Sequence, residues 1–295
     1  MGICDGRVVI ITGAARGLGR EYALGFAAEG AYVVVNDLGG GADREAAAAV
    51  AREIKAAGGK AITNHDDIAD WDGAGRLIRA ALEAFGTLHT VVNNAGILRI
   101  FPFEEEPLEN WDRTIRVHLR GHFCVARRAV EYWHAEHSAG RPVAARIINV
   151  SSGAGLQGAA GQASYSTAKG GIASLTLTEA TELGRYGITA NAIAPTARTR
   201  MTSEFWPDQI AKPDRGFDAM DPANVAPLLV WLGSEHSSHV TGCVFEAGGG
   251  LIALEDGWDF GPMIDRQRRW EPAEVGPAVD ALLSRRRTPR PVWNT

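Results

Sequence analysis

Cysteine is scarce in this chain: its 295 residues include only Cys4, Cys124 and Cys243. An odd number set far apart does not make a disulfide framework. No apolar run approaches the ~20 residues that a membrane-spanning helix needs. Charge is nearly balanced, and a net charge of −5 offers nothing to hold nucleic acid as a main partner. Histidines at helical spacing occur as His118/His122 and His134/His137, without a third ligand beside either pair, so no metal site is expected. The first strand starts almost at the N-terminus, which leaves no room for a signal peptide. The chain is expected to be cytoplasmic. Its 45% hydrophobic and 22% charged residues are the proportions of a globular chain.

Arg7 to Thr12 is a β-branched run of the kind buried on both faces of a parallel sheet. It leads into Gly13-Ala14-Ala15-Arg16-Gly17-Leu18-Gly19 and then a helix from Arg20 to Ala28. Strand, glycine turn and helix make a phosphate site. Glycine lets backbone approach closely, and the helix N-terminus offers unpaired N–H groups. The second strand, Tyr32 to Asn36, ends at Asp37. A carboxylate there accepts hydrogen bonds from both ribose hydroxyls of NAD and repels the 2′-phosphate of NADP. Arg16 pulls the other way. NAD is preferred, because Asp37 faces the 2′ position and is followed by Leu38 rather than a compensating arginine.

A helix from about Asp43 to Ala57 and a third strand, Lys60 to Asn64, lead to Asp66-Asp67-Ile68, where an acid can bond the adenine amino group. After a helix from about Trp71 to Phe85, the fourth strand, Thr90 to Val92, ends in Asn93-Asn94-Ala95-Gly96. That small-residue turn suits a cofactor lying against it. Leu108 to about Glu136 reads as one long helix, and Arg146 to Val150 as the fifth strand. Ser151 and Ser152 end that strand, at the edge where doubly wound sheets bind ligands. Tyr165 and Lys169 stand four apart, which on a helix puts phenol and ammonium on one face. A phenol with a pKa near 10 is a poor base at neutral pH, and a neighbouring cation favours its phenolate.

Ile188 to Ile193 is the sixth strand, closing with Ala194-Pro195-Thr196. A lid-like segment from Met201 to Gly216, a helix from Asp221 to about Leu232 and a last strand, Val244 to Ala247, follow. The expected fold is α/β: a single Rossmann-type domain over residues 1–250, with a doubly wound parallel sheet of about seven strands and helices on both faces. Residues 251–295 remain as a C-terminal extension, packed on the same domain or on a neighbouring subunit, with Trp258, Phe260, Met263, Trp270 and a basic Arg285-Arg286-Arg287 triplet.

T-G-x-x-x-G-x-G, N-N-A-G, an upstream serine and Y-x-x-x-K, in this order over about residues 6 to 250, resemble the short-chain dehydrogenase/reductase family. Val33 to Gly40, Asn93 to Arg99 and Arg116 to Phe123 look similar to a subgroup. This is the (3R)-hydroxyacyl-CoA dehydrogenase part of multifunctional enzymes of type 2 and its bacterial relatives. The resemblance implies an NAD(H)-dependent oxidoreductase that interconverts a secondary alcohol and a ketone. Tyr165 would be the acid/base, and Lys169 would lower its pKa and hold the nicotinamide ribose. Ser152, thirteen residues before Tyr165, would bond the substrate oxygen, while Ser151 caps or packs.

Cofactor contacts are implied for Gly13, Arg16, Gly17, Leu18, Gly19, Asp37, Asp67, Ile68, Asn94, Ala95 and Gly96, and for Pro195, Thr196, Ala197 and Thr199. His118 stands where the family usually has asparagine. The family uses that residue through the main chain of a kinked helix; the plain alternative is a helix-surface histidine. The implied substrate is a 3-hydroxyacyl-CoA or a steroid-like alcohol, with a carrier-protein-linked 3-oxoacyl chain as the alternative. A catalytically silent dinucleotide-binding sensor is the reading of a different class. Gly170, Gly171, Ala173 and Ser174 resemble the family's subunit-packing helix, so a homo-oligomer, tetramer or dimer, is expected.

Overall fold

The β-branched runs of the sequence assemble side by side in the computed structural model, which describes residues 2–40, 42–257 and 261–286. Gly41, Trp258, Phe260 and Arg287 lie outside the described residues. The strands are β1 (Val8–Thr12), β2 (Tyr32–Asn36), β3 (Lys60–Asn64), β4 (Thr90–Asn93), β5 (Arg146–Val150), β6 (Thr189–Pro195), β7 (Val244–Gly248) and β8 (Leu251–Glu255). They form one sheet in the order β3-β2-β1-β4-β5-β6-β7-β8. The first seven run parallel, and β8 returns antiparallel to β7. The order reverses between β1 and β4, which opens a crevice at their carboxyl ends, the place where such sheets hold ligands.

The helices are α1 (Gly17–Ala28), α2 (Ala42–Ala56), α3 (Trp71–Phe85), α4 (Leu108–Ile115), α5 (Gly121–Ser138), α6 (Gly153–Gln157), α7 (Ala163–Leu183), α8 (Arg200–Ser203), α9 (Ala226–Gly233) and α10 (Pro272–Leu283). Alternating residues of one strand feed opposite cores, as the pleat requires. Val9, Ile11, Val33 and Val35 pack with Tyr22, Phe26, Ile54 and Leu229 on one face. Val8, Ile10, Val34 and Val91 pack with Leu77, Ile78, Val125 and Trp133 on the other. Each such aliphatic side chain contributes roughly 1.5–3 kcal/mol by leaving water. Trp133 also donates Nε1–H to the Leu88 carbonyl at 2.7 Å, tying α5 to the segment before β4.

The sheet has eight strands, not about seven. Leu251–Glu255, which the sequence pattern assigned to the extension, turns back through Gly249 (φ +57°) and pairs with β7. The helix expected from Leu108 to Glu136 is continuous but carries a π-helical turn, Arg116–Arg120, between α4 and α5. The loop expected from Gly153 to Gly161 contains α6. Among the described residues, no helix is long and apolar enough to cross a membrane.

Candidate active site

The glycine turn between β1 and α1 is built for close approach. Gly13 has φ +65°, and a Cβ there would lie 2.7 Å from the Ala95 Cα. A Cβ on Gly19 would lie 2.2 Å from the Gly13 carbonyl oxygen. Asn94 pins the turn, donating from Nδ2 to the carbonyls of Thr12 at 2.9 Å and Gly13 at 3.1 Å. The Thr12 hydroxyl accepts from the Asn94 and Ala95 N–H groups. Helix α1 begins at Gly17, a turn earlier than the sequence pattern suggested, and its N-terminal residue Arg16 provides no side-chain cap. The amides of the first turn therefore remain as donors toward an anion.

This turn opens onto a cavity of about 480 Å³ that runs from Asp37, Asp67 and Ile68 past the glycines to Ser152, Tyr165 and Lys169. Asp37 Oδ2 accepts the Ala15 N–H at 3.1 Å, which fixes the carboxylate at the end of β2. Gly13, Arg16, Gly17, Leu18, Gly19, Asn94, Ala95, Gly96, His118, Pro195, Ala197 and Thr199 also line the cavity. Thr196 is not among the lining residues. Its N–H donates to the Ala247 carbonyl at 2.8 Å, and its side chain faces Gly248. Asp67 lines the cavity with its carboxylate engaged, by Arg116 at 2.6 Å and by the Ala69 N–H at 2.9 Å. Any adenine contact would share that acceptor.

The sequence pattern missed Asn36, Leu38, Arg113 and Arg116 as lining residues. Asn36 and Leu38 adjoin Asp37, which was singled out, so the end of the strand was the available signal. Arg113 and Arg116 reach the cavity from the segment at the π-helical turn, which nothing in the sequence marks.

At the other end, Ser152 starts α6 and accepts the Ala154 N–H at 3.2 Å. Burial pushes the Tyr165 phenol up, and its hydrogen bond with Ser152 pulls it back down. Lys169 is buried, with Nζ donating to the Val150 carbonyl at 2.6 Å and lying 5.6 Å from the Tyr165 ring centroid. Burial pushes its ammonium down to about 7. The phenol is therefore held above its ordinary value, and the contact that lowers it is Ser152. Ser151 donates to the Lys169 carbonyl at 2.8 Å and joins β5 to α7.

His118 is buried within the π-helical turn, which sets aside the alternative of a helix-surface histidine. Its Nε2 lies 2.7 Å from the Ile97 carbonyl oxygen and 2.9 Å from the Ile97 nitrogen. Its ring stands edge-on to Tyr165, with centroids 5.3 Å apart. Burial, then the Lys169 charge, lowers it to about 3, so the imidazole is neutral.

A turn that a Cβ would fill, uncapped helix amides and a carboxylate at the end of β2 fit a nicotinamide dinucleotide. Residues 7–210 match the family described as short chain dehydrogenase. The chain is 42% identical over 285 residues to hydroxyacyl-CoA dehydrogenase ChsB1 of Mycobacterium tuberculosis, covering 92% of this chain and 86% of that one. It is 44% identical over 253 residues to peroxisomal multifunctional enzyme type 2 of Mus musculus, covering 84% of this chain but 32% of that longer protein. The crystal structure of a short chain dehydrogenase from Mycobacterium avium is 52% identical, with a TM-score of 0.91 and both chains covered completely. A short chain dehydrogenase from Mycobacterium paratuberculosis bound to NAD is 25% identical, with a TM-score of 0.73, covering 84% of this chain and 98% of that one. The chain belongs to the short chain dehydrogenase family. It is an oxidoreductase, and the cofactor class its site serves is a nicotinamide dinucleotide.

Proposed function

We propose that the chain interconverts a secondary alcohol and a ketone with NAD(H), and that the alcohol is a 3-hydroxyacyl thioester of coenzyme A. One observation carries the chemistry: Ser152, Tyr165 and Lys169 share the wall of the cavity into which the glycine turn opens. When bound, the nicotinamide accepts or gives the hydride. Tyr165 takes the alcohol proton in oxidation and returns it in reduction. Ser152 holds the substrate oxygen, and Lys169 supplies positive charge beside the phenol and a donor for the cofactor ribose. Positioned proton transfer and an oriented donor each provide about 10²–10⁴-fold.

Asp37 supports NAD over NADP, since its carboxylate would meet a 2′-phosphate with like charge. The thioester is supported by the relatives whose names specify hydroxyacyl-CoA dehydrogenation. Formation of NADH from a panel of 3-hydroxyacyl-CoA esters, steroid alcohols and simple alcohols tests this reading. The expected outcome is turnover of the thioesters, with Tyr165→Phe slower by about 10²–10⁴-fold while cofactor affinity holds. Near-normal turnover by Tyr165→Phe would remove the role assignment, and turnover of steroids alone would replace the substrate class.

Self-association belongs to the same proposal. Leu251, Ile252 and Leu254 are exposed on the edge strand β8, and Val275, Val279 and Leu283 are exposed on α10. An uncovered apolar edge invites pairing, here with a second copy. Light scattering during gel filtration should give a dimer or larger, and a monomer at micromolar concentration would refute it.

A further inference from the structure

Tyr165 sits in the first turn of α7. The first N–H groups of a helix have no acceptor within it, so that turn frays unless a cap supplies one. Gln162, the residue before α7, provides no side-chain cap among the described residues. The acceptor comes instead from a distant segment: Glu106 Oε2 takes the Ser164 N–H at 3.2 Å, across 58 residues of chain. A carboxylate at a helix N-terminus also meets the positive end of the dipole.

Glu106 is itself held in place. Its Oε1 accepts from Asn110 Nδ2 at 2.9 Å, one turn on in α4, and that same nitrogen lies 3.4 Å from the Ser164 hydroxyl oxygen. Of the consecutive glutamates, Glu104 and Glu105 are exposed, whereas Glu106 is half-buried in a recess with Leu108, Trp111 and Ala163. Earlier in the same segment the Phe101 N–H donates to the Gly161 carbonyl at 2.9 Å, so the entry to α7 is gripped at two points. Helix α4 then runs on into the π-helical turn, whose His118 ring stands against the Tyr165 ring. One stretch of chain thus meets the tyrosine at its backbone and at its ring.

We propose that Glu106 is a positioning residue for Tyr165: it pins the first turn of α7 and so fixes the phenol oxygen relative to Ser152 and the substrate. This rests on the acid/base role given above to Tyr165. Misplacing a reacting group by about 1 Å costs up to about 10²-fold in rate. A first turn that opens part of the time therefore lowers turnover, while a dinucleotide on the glycine turn, at the other end of the cavity, binds as before.

The test pairs hydrogen–deuterium exchange with kinetics on the full chain. Glu106→Leu removes both acceptors, and Asn110→Ala removes the brace should the leucine variant fail to fold. In either variant, exchange across the first turn of α7 should quicken by about tenfold, with the later turns unchanged. The kcat for the panel alcohol turned over fastest should fall by about tenfold, with NAD affinity by calorimetry within about twofold of the parent. Glu106→Gln keeps an acceptor for the Ser164 N–H and should restore both exchange and kcat. An unchanged kcat, a loss of NAD affinity as large as the loss of kcat, or exchange quickened along the whole helix would each overturn the proposal. Any of these together with an inactive Tyr165→Phe overturns this inference alone, whereas an active Tyr165→Phe overturns it along with the reading beneath it.

Discussion

His118 and Tyr165 stand edge to face, with ring centroids 5.3 Å apart and planes at 88°. On its other side, the His118 ring occupies the space that a side chain at residue 96 would need. A Cβ on Gly96 would lie 2.3 Å from His118 Cε1. Gly96 of the N-N-A-G turn, His118 of the π-helical turn and Tyr165 thus form one packed stack. An offset introduced at residue 96 has nowhere to go except into the tyrosine.

Gly96→Ala should therefore act as an overpacking mutation with a catalytic readout. The expected loss is about 1–3 kcal/mol of stability, together with a fall in kcat larger than any change in cofactor affinity. Adding His118→Ala removes the obstructing ring, so the double variant should be more stable than the sum of the two single changes predicts. Denaturant melts of the four proteins measure that coupling. Additive losses would show that the stack does not transmit strain.

Much of this site could be read before any coordinates, for physical reasons that also mark where reading stops. Strand, glycine turn and helix are contiguous, so Gly13 to Gly19 advertise a phosphate site through local rules alone. Tyr165 and Lys169 lie on one helix, where spacing is geometry. The setting of Thr196 depends on hydrogen bonding to β7, some fifty residues on, which local spacing does not report. The burial that raises Tyr165 is tertiary, and spacing along the helix does not report it. β8 was invisible because Leu251, Ile252 and Leu254 are exposed and lack the inward-outward alternation of a half-buried strand. The π-helical turn at Arg116–Arg120 has no periodic signature, so spacing left open whether His118 served the site or lay on the helix surface.

Glu179 gives the fold a pH dependence. Burial pushes its carboxyl from 4.5 up to about 7, against a smaller lowering by the Asn149 hydrogen bond. Between those values the folded chain holds a proton that the unfolded chain has released. Stability therefore falls as pH rises through that window and levels off above it. Glu179→Gln keeps an acceptor for Asn149 Nδ2 and removes the ionisation. It should stabilise the protein by about 1–3 kcal/mol near pH 8 and leave it almost unchanged near pH 4.5. Urea melts at the two pH values decide this, and an equal effect at both would rule out Glu179 as the source.

The segment between residues 199 and 217, which borders the cavity mouth, is closed by one arginine. Arg198 donates to Asp218 with both Nη atoms and reaches the Ile210 carbonyl at 3.0 Å, while Ile210 itself is buried. Asp218→Asn keeps the shape but gives up the ion pair. The segment should open more often, so limited proteolysis within it should quicken about tenfold with little change in melting temperature. The KM for substrate should rise more than kcat falls. Unchanged cleavage would mean that Ile210 and not Arg198 holds the segment.

The proposed preference for NAD weighs Asp37 against Arg16, both of which line the cavity. Asp37 is fixed by the Ala15 N–H at 3.1 Å, so its charge cannot swing away from an incoming 2′-phosphate. Two unit charges about 4 Å apart in a partly screened site repel by a few kcal/mol, enough for a discrimination of about 10²-fold or more. Asp37→Asn removes the repulsion and keeps an acceptor for Ala15. The ratio of kcat/KM with NAD to that with NADP should then fall by about 10–100-fold, chiefly through improved use of NADP. Adding Arg16→Ala to that variant should weaken NADP use again if the guanidinium is what favours the extra phosphate. If the parent enzyme already favours NADP, Arg16 outweighs Asp37, and the preference assigned to the carboxylate is wrong.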